Sequence, residues 1–208
     1  FADNMARAAK ADGLTLQYCM ASPRFFLQGS RYSNLTTIRA SNDRFDRSKW
    51  NSFLYTSLLA DSLHVRPWTD VFDSTELGNL TLATLSSGPV GLGDAIGKES
   101  RDNIMLAARG DGVIVKPDAP ITPTDASILS DARGEHRPLI AATYTDNGLR
   151  TAYVFADARK GDTPDVAFVP ASLGFTGQVY VWNSADKVAK RINVSDAFTD
   201  TLGATGWA

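Results

Sequence analysis

The first half of the chain alternates short apolar runs with segments of helical spacing. The apolar runs predict buried strands near residues 14–20, 35–39, 67–72 and 88–94. Between the second and third runs, an apolar residue recurs at i, i+3, i+4 and i+8, namely Trp50, Phe53, Leu54 and Leu58. This spacing predicts a helix with one apolar face. A strand, a loop and a helix repeated about every 25 to 35 residues indicate parallel βα units.

Residues that favour helix ends set the expected boundaries. Ser48 is predicted as an N-cap, and Ser74 or Thr75 as the cap of the next helix, since their hydroxyls can accept a hydrogen bond from a free backbone N–H. A further helix is predicted from Ser100 to Arg109, with Gly110 as its end. The segment 21–33, which contains a proline and a glycine, is predicted to be a loop.

The pattern changes after Gly112. The run VIVKPDAPITPTD contains three prolines and predicts an extended linker without a helix. Beyond it, alternating β-branched and aromatic residues flank Asn147-Gly148, a dipeptide that favours the positive φ angles of a hairpin turn. The runs VAFVPAS, QVYVWNS and KRINVSD continue the strand pattern. We therefore expect an α/β region over residues 1–130, linker included, and an antiparallel β domain over 131–208.

Composition narrows the classes of function. The chain has 208 residues, 43% hydrophobic and 21% charged, with a formal net charge of -2. Because phosphate binding needs a concentrated excess of Lys and Arg, the charge argues against a nucleic-acid partner. The sequence has no apolar run long enough to predict a membrane span. One cysteine and two histidines make a Cys/His zinc site improbable, and no cofactor is predicted.

The candidate functional residues lie at the carboxyl ends of the predicted strands, where alternating α/β proteins usually place their catalytic and binding residues. Arg39 and Asp43 end the second strand, Trp68 and Asp70 lie in the third, Asp94 ends the fourth, and Cys19 ends the first. An aromatic ring beside a carboxylate suits a sugar, because the ring covers the apolar face of a pyranose while the carboxylate accepts hydrogen bonds from its hydroxyls.

Each candidate also has a structural alternative. Asp43 could instead cap the helix that begins near Ser48 or close the loop, and Arg39 could be a plain arginine of a buried ion pair. Trp68 with Asp70 would equally suit a core tryptophan beside a structural aspartate. Asp94 could cap the following turn, and Cys19 could be a small buried thiol. The glycines of GPVGLG do not indicate a phosphate loop, because the Lys-Ser/Thr pair is absent.

Four motifs resemble the carboxyl-terminal half of the α-galactosidase and raffinose synthase group of glycoside hydrolases, which includes the seed imbibition proteins. The motifs are QYCMA, IRASNDRF, PWTDVFDST and SSGPVGLGDAIGK, which match the fifth to eighth barrel strands, followed by DGVIVKPDAP and PTDASIL. They cover roughly half of the chain, and the β domain resembles the family in character and position only.

The resemblance implies the carboxyl-terminal half of a (β/α)8 TIM barrel followed by an antiparallel β-sandwich, with a retaining mechanism run by two carboxylates. In that family the acid/base aspartate lies four residues after an arginine, which matches Arg39 and Asp43. Asn42 departs from the family's usual pair of adjacent aspartates. The nucleophilic aspartate is expected on a strand before Phe1, in the amino-terminal half of the same barrel, which is the expected partner along with an oligosaccharide or glycoside substrate.

Other functions remain open on the sequence. A non-catalytic carbohydrate-binding protein and a raffinose-type transglycosidase would use the same residues. A variant in which Asp70 is the nucleophile and Asp43 the acid also stays open. Because half a barrel leaves strand edges unpaired, we expect the isolated 208 residues to fold poorly alone and to act as part of a larger protein.

Overall fold

The computed structural model describes residues 1–135, 137–159, 165–203 and 205–208. These residues form a mixed α/β structure with small sheets and no closed barrel. The chain divides into two compact units, one of residues 1–122 with 143–151 and one of residues 123–142 with 152–208.

The first unit is built on a parallel sheet of three strands. The strands are β1 (Leu16–Tyr18), β2 (Leu35–Arg39) and β3 (Arg66–Trp68), and their order in the sheet is their order in the chain. The helices of this unit are α1 (Ala2–Ala11), α2 (Pro23–Gly29), α3 (Trp50–Ser62), α4 (Leu77–Leu85) and α5 (Arg101–Ile104). Helices α2 and α3 form the two crossovers that join the parallel strands, as parallel pairing requires.

Apolar residues of strand and helix meet in the core that fixes the sheet. Leu35 and Ile38 of β2 are buried in one cluster with Phe26 of α2 and Ala60 of α3. The apolar face predicted for α3 is buried at Trp50, Phe53 and Leu54. The prediction of strands near residues 14–20, 35–39 and 67–72 is confirmed by β1, β2 and β3.

The strand predicted over residues 88–94 does not form as a regular strand. The segment makes a single parallel bridge, between Leu92 and Phe72, and the Gly93 N–H donates to the Phe72 carbonyl at 2.8 Å. A Cβ built on Gly88 would lie 1.8 Å from the carbonyl oxygen of Pro67. The glycines therefore let this segment lie against the end of β3, but they do not favour an extended ladder.

The helix caps differ from those predicted. Asp46, not Ser48, is the cap: its side chain accepts from the Ser48 N–H at 2.9 Å and begins a 3-10 turn over Arg47–Lys49. Helix α4 begins at Leu77 without a side-chain cap, so neither Ser74 nor Thr75 acts as predicted. The hydroxyl that would have capped α4 is used elsewhere, because Ser74 binds a carboxylate twenty residues further along the chain.

The predictions for residues 21–33 and 100–109 are also wrong in part. Residues 23–29, predicted as loop, form α2 with Ser22 at the N-cap position and Pro23 at its first turn. Proline suits that position because its missing N–H is one that a helix start leaves unpaired. The helix predicted from Ser100 to Arg109 is only Arg101–Ile104, and the Ser100 hydroxyl accepts from the Asn103 N–H at 3.4 Å.

The second half of the chain is mostly β. It contains α6 (Asp125–Ala132) and the strands β4 (Thr122–Pro123), β5 (Leu139–Asp146), β6 (Arg150–Asp157), β7 (Asp165–Phe168), β8 (Gln178–Asn183), β9 (Val188–Asn193) and β10 (Phe198–Thr201). The sheet order is β4-β5-β6, while β7 pairs antiparallel with β10 and β8 antiparallel with β9. The hairpin predicted at Asn147-Gly148 is confirmed, with Gly148 at φ 94° between β5 and β6.

The proline-rich run ends sooner than predicted. Helix α6 begins at Asp125, the last residue of the predicted linker, and the Thr124 hydroxyl accepts from the Ser127 N–H at 3.3 Å as its cap. Among the helices described, none is both long and apolar enough to cross a bilayer. The described residues also hold no group of three His, Cys, Asp or Glu side chains placed to bind a metal ion.

Candidate active site

Two parallel strands end side by side at the candidate site. Arg39 is the last residue of β2 and is the register partner of Trp68, the last residue of β3. Asp43 and Asp70 follow these strand ends by four and two residues. Because the two strands are parallel and end at the same level, the residues that follow them lie at the same edge of the sheet. Residues predicted from separate motifs are therefore neighbours.

Arg39 joins the two carboxylates. Its guanidinium contacts Asp43 Oδ1 through Nη2 at 2.7 Å and Asp70 Oδ1 through Nη1 at 3.0 Å. The side chain of Arg39 is only 6% exposed, whereas that of Asp70 is 19% and that of Asp43 is 73% exposed. One buried cation therefore binds a partly buried carboxylate and an open one.

The charge on Arg39 is secured by its surroundings. Burial acts to lower the pKa of Arg39, but the hydrogen bond to Asp43 and the negative charges of Asp70 and Asp43 act to raise it, and the pKa is raised. A guanidinium in this position stays cationic across the working range of proteins. It can therefore bind both carboxylates at once through its two Nη atoms.

Asp70 is held on both sides by residues that the sequence analysis did not single out. The Arg44 N–H donates to Asp70 Oδ2 at 2.6 Å, and the Asp70 N–H donates to the Ser41 hydroxyl at 2.8 Å. Arg44 has φ 51°, a left-handed conformation that directs this N–H toward the carboxylate. Its guanidinium binds Glu76 at 2.8 Å. The turn-forming Ser41-Asn42 of IRASNDRF was the available signal for this loop.

Two buried donors at the strand ends have no acceptor within the described residues. They are Arg39 Nε and the indole Nε1 of Trp68. Buried polar atoms in proteins are almost always hydrogen-bonded, so two such donors at one strand edge are an unusual feature of the packing there. Trp68 as a whole is half-buried, which leaves part of its ring open.

Asp94 lies in a second, separate arrangement. The Ser74 N–H and hydroxyl both donate to its carboxylate at 2.8 Å, and the Ser74 hydroxyl accepts from the Ser100 N–H at 2.6 Å. The backbone hydrogen bond from Ser74 is the main cause that lowers the pKa of Asp94. Among the described residues, its side-chain bonds go to Ser74 and not to Arg39, Asp43 or Asp70. The sequence analysis missed Ser74 as its partner.

Cys19 follows β1 and is exposed, so the buried-thiol alternative is wrong. Tyr18, the last residue of β1, is the register partner of Ile38, so Cys19 follows β1 level with Arg39 at the end of β2. The carboxyl ends of β1, β2 and β3 therefore lie along one edge of the sheet in that order.

Neither a comparison with protein-family models nor a search of curated proteins found a match for this chain. The chemistry of the site must therefore be argued from its own residues. A buried guanidinium, an open carboxylate, a fixed carboxylate and a half-buried indole are suited to a polar ligand with several hydroxyls and an apolar face.

Proposed function

We propose that the chain is the carboxyl-terminal half of a retaining α-glycosidase, similar to the α-galactosidases, with Asp43 as the acid/base. The finer architecture that goes with this proposal is half of a (β/α)8 barrel followed by a β-sandwich. The observation that carries it is the buried Arg39, which binds Asp43 and Asp70 at the strand end beside the half-buried Trp68. The nucleophile would come from a preceding part of the same barrel.

The strand order supports this choice over other α/β architectures. Strands β1, β2 and β3 are parallel, adjacent and in chain order, and the bridge from Phe72 to Leu92 adds a further parallel segment after β3. A barrel is wound in this sequential way, whereas a doubly wound sheet reverses its order at the ligand-binding crevice. The candidate residues follow the carboxyl ends of these strands, the side on which barrel enzymes work.

The proposed roles follow from exposure and contact. Asp43 is the open carboxyl group, so it can reach the glycosidic oxygen and give it a proton as the bond from the anomeric carbon to that oxygen breaks. In the second half-reaction, it takes a proton from the water that attacks the anomeric carbon and releases the sugar from the nucleophile. The paired carboxylate of a retaining enzyme lies about 5 to 5.5 Å away.

Asp70 suits a binding role because both of its oxygens are already occupied, one by Arg39 and one by the Arg44 N–H. Each oxygen of a carboxylate has two lone pairs, so Asp70 can still accept a further hydrogen bond from a hydroxyl of the sugar. Trp68 would cover the apolar face of the sugar ring with the part of its half-buried indole that remains open. Asp94, fixed by Ser74, would bind another hydroxyl, and Cys19 would line the rim.

Replacing Asp43 tests the proposal in the protein that carries this chain. Asp43→Ala should reduce turnover of an alkyl α-galactoside by about 10²- to 10⁴-fold, because its alkoxide needs the proton. Turnover of an aryl α-galactoside with an acidic phenol should fall much less in its first step. Azide should then restore the second step by attacking the glycosyl-enzyme, and should give a glycosyl azide of retained configuration.

Asp12→Ala is the matched control, because Asp12 is an exposed aspartate before β1 and therefore on the opposite side of the sheet. Equal loss on both substrates after Asp43→Ala would contradict the acid role. An azide product of inverted configuration from Asp70→Ala would instead assign the nucleophile to Asp70. Sugar binding that is lost in Trp68→Ala, in a protein with no turnover, would indicate a carbohydrate-binding protein.

A further inference from the structure

The hairpin of β8 and β9 has two unlike faces. Along β8, the half-buried Val179 and Val181 alternate with the exposed Gln178, Tyr180 and Trp182. The strands pair without a break from Gln178–Asn193 to Asn183–Val188, so the alternation assigns each residue to one face. Tyr180 and Trp182 therefore project from the same face of the hairpin.

The opposite face is already in use. Lys190, the register partner of Val181, places its Nζ 5.9 Å from the ring centroid of Phe198 on β10. Asn183, also on this face, donates a hydrogen bond to Asp200 of the same strand. This face is therefore directed to β10, and the face with Tyr180 and Trp182 is directed away from it.

The outward face carries two large open rings. Tyr180 is 75% exposed and Trp182 is 59% exposed, which is unusual for such large side chains. Two residues apart along a strand, their Cα atoms are separated by about 6.6 Å. Across from Trp182 lies Ala189, which is too small to cover the indole, and across from Tyr180 lies Arg191.

A polar groove adjoins these rings. Arg191 donates to Gln178, Gln178 Nε2 donates to Asn193 Oδ1 at 3.2 Å, and Asn193 Nδ2 donates to Asp196 Oδ2 at 2.9 Å. These residues and Ile192 line an open groove of about 300 Å³. Gln178, Arg191 and Asn193 are themselves exposed, so their polar side chains lie open on the same face as the two rings.

The local charge is balanced. Residues 178–201 contain three cations, Lys187, Lys190 and Arg191, and three carboxylates, Asp186, Asp196 and Asp200. Stacked rings on a strand would also suit the bases of a single-stranded nucleic acid, but such a partner needs an excess of positive charge for its phosphates. The surface fits an uncharged ligand with flat apolar faces and many hydroxyls.

We infer that the outward face of the β8–β9 hairpin binds a neutral oligosaccharide, with Tyr180 and Trp182 stacked on sugar rings and the amides of Gln178 and Asn193 bound to hydroxyls. This surface is distinct from the proposed catalytic residues, which belong to the other compact unit of the chain. The inference goes beyond the proposed hydrolysis and does not depend on it, because a binding surface needs no turnover.

Affinity electrophoresis of the protein in gels that contain galactomannan, soluble starch or hydroxyethyl cellulose tests the inference. We expect retardation by at least one of these neutral polymers. Trp182→Ala and Tyr180→Ala should each weaken binding about tenfold, since a well-stacked ring contributes on the order of a factor of ten. Tyr180→Phe keeps the ring and should bind nearly as well as the original protein.

Leu149→Ala is the control, because Leu149 is an equally exposed apolar residue at a different turn. Circular dichroism of each variant checks folding, which exposed side chains should not disturb. Retardation by none of the polymers, or retardation unchanged by both ring removals, would overturn the inference. So would binding to poly-uridylate alone, or a self-association that Trp182→Ala abolishes, because the surface would then serve a nucleic acid or a second copy.

Discussion

Arg39 binds two carboxylates of unequal exposure, and the difference decides how much each contact contributes to stability. Exposed ion pairs contribute about 0.2 to 1 kcal/mol, because water screens the charges and the side chains lose freedom. Removing one member of a buried pair costs about 3 to 5 kcal/mol, because the other charge is left without a partner. The pair with Asp70 lies toward the second limit and the pair with Asp43 toward the first.

Double-mutant cycles should show this difference as free energies of unfolding. We expect a coupling energy above about 1 kcal/mol for Arg39 with Asp70, and below that for Arg39 with Asp43. Urea unfolding of the single and double alanine variants measures both couplings. If the two couplings were equal, or their order reversed, the assignment of Asp43 as the loosely held and available carboxyl group would be wrong.

Asp46 gives a prediction about pH. Hydrogen bonds from Lys49 and Ser48 lower the pKa of Asp46 from 3.8 to about 2. Because the folded pKa is below the unfolded one, the ionised carboxylate stabilises the fold above about pH 4, and this contribution is lost as the pH falls through about 2. Asp46→Ala should cost about 1 kcal/mol at pH 7, as loss of a helix cap does.

The difference between Asp46→Ala and the original protein should shrink as the pH falls from about 4 to 2, when measured by urea unfolding in that range. Asp12→Ala should show no comparable loss at pH 7. A destabilisation of Asp46→Ala that stayed constant down to pH 2 would mean that the carboxylate charge has no part in the cap.

For single residues, the sequence predicted contacts between residues of the same short motif. Arg39 and Asp43 are four residues apart in IRASNDRF, and the structure joins them in an ion pair. The partners of Asp70 and Asp94 were missed, because Arg44 and Ser74 are 26 and 20 residues from them and no local pattern connects such positions. Contacts of this kind depend on how the strand ends are brought together.

Among the elements, α3 could be predicted and α2 could not. The apolar period of α3 extends over several turns, and its buried face follows directly from that period. Helix α2 has only seven residues, and its Pro23 favours a loop as much as it favours a helix start after Ser22, a common N-cap residue. A short helix provides too few periodic positions to outweigh a proline, so the cap signal was the one to use.

Gly88 fixes the segment after α4 against the end of β3, and its substitution should be costly. An alanine Cβ would lie 1.8 Å from the Pro67 carbonyl oxygen, which is backbone and cannot swing aside. We expect Gly88→Ala to destabilise the protein by about 1 to 3 kcal/mol through forced backbone shifts. The measurement is the midpoint of thermal or urea unfolding.

Gly91→Ala is the matched control, because a Cβ there meets nothing within 4 Å. It should leave the midpoint unchanged or raise it slightly, since alanine restricts the unfolded chain. Equal effects of the two substitutions would show that the close approach of Gly88 to β3 does not constrain the fold.

For the whole molecule, the sheet edge at β1 is the decisive feature. Strand β1 pairs with β2 on one side, and no other described strand pairs with it. An unpaired parallel edge with exposed apolar neighbours such as Leu14 is a template for pairing with another chain. The 208-residue chain alone should therefore self-associate as its concentration rises, which sedimentation velocity measures.

A charge on the edge should weaken this association. Gln17→Lys on β1 should shift the chain toward monomer, while Asn51→Lys, an exposed position on α3, should not. Under the half-barrel proposal, a longer protein with the remaining strands would pair this edge and should not associate in this way. A cooperative, monomeric 208-residue chain at high concentration would contradict the half-barrel proposal.

The large-scale organisation was only partly readable from the sequence. Alternating apolar runs and helical periods indicated parallel βα units, and β1, β2 and β3 confirm that much. The glycine-rich segment 88–94 has the apolar pattern of a strand, but it forms only one bridge among the described residues. Its glycine at position 88 packs closely against the backbone of β3 instead. Closure of a barrel depends on pairing between strands that are distant in the chain, and a local sequence pattern does not encode such pairing.

Cys19 has a practical consequence that reaches beyond its own role. The chain has one cysteine, which is exposed and follows β1 level with Arg39 at the end of β2. A maleimide dye or a spin label will therefore attach at a single known place, without engineering, next to the proposed sugar site. The emission or mobility of that label provides a direct optical or magnetic readout of ligand arrival, and a bulky label provides a chemical means of blocking entry.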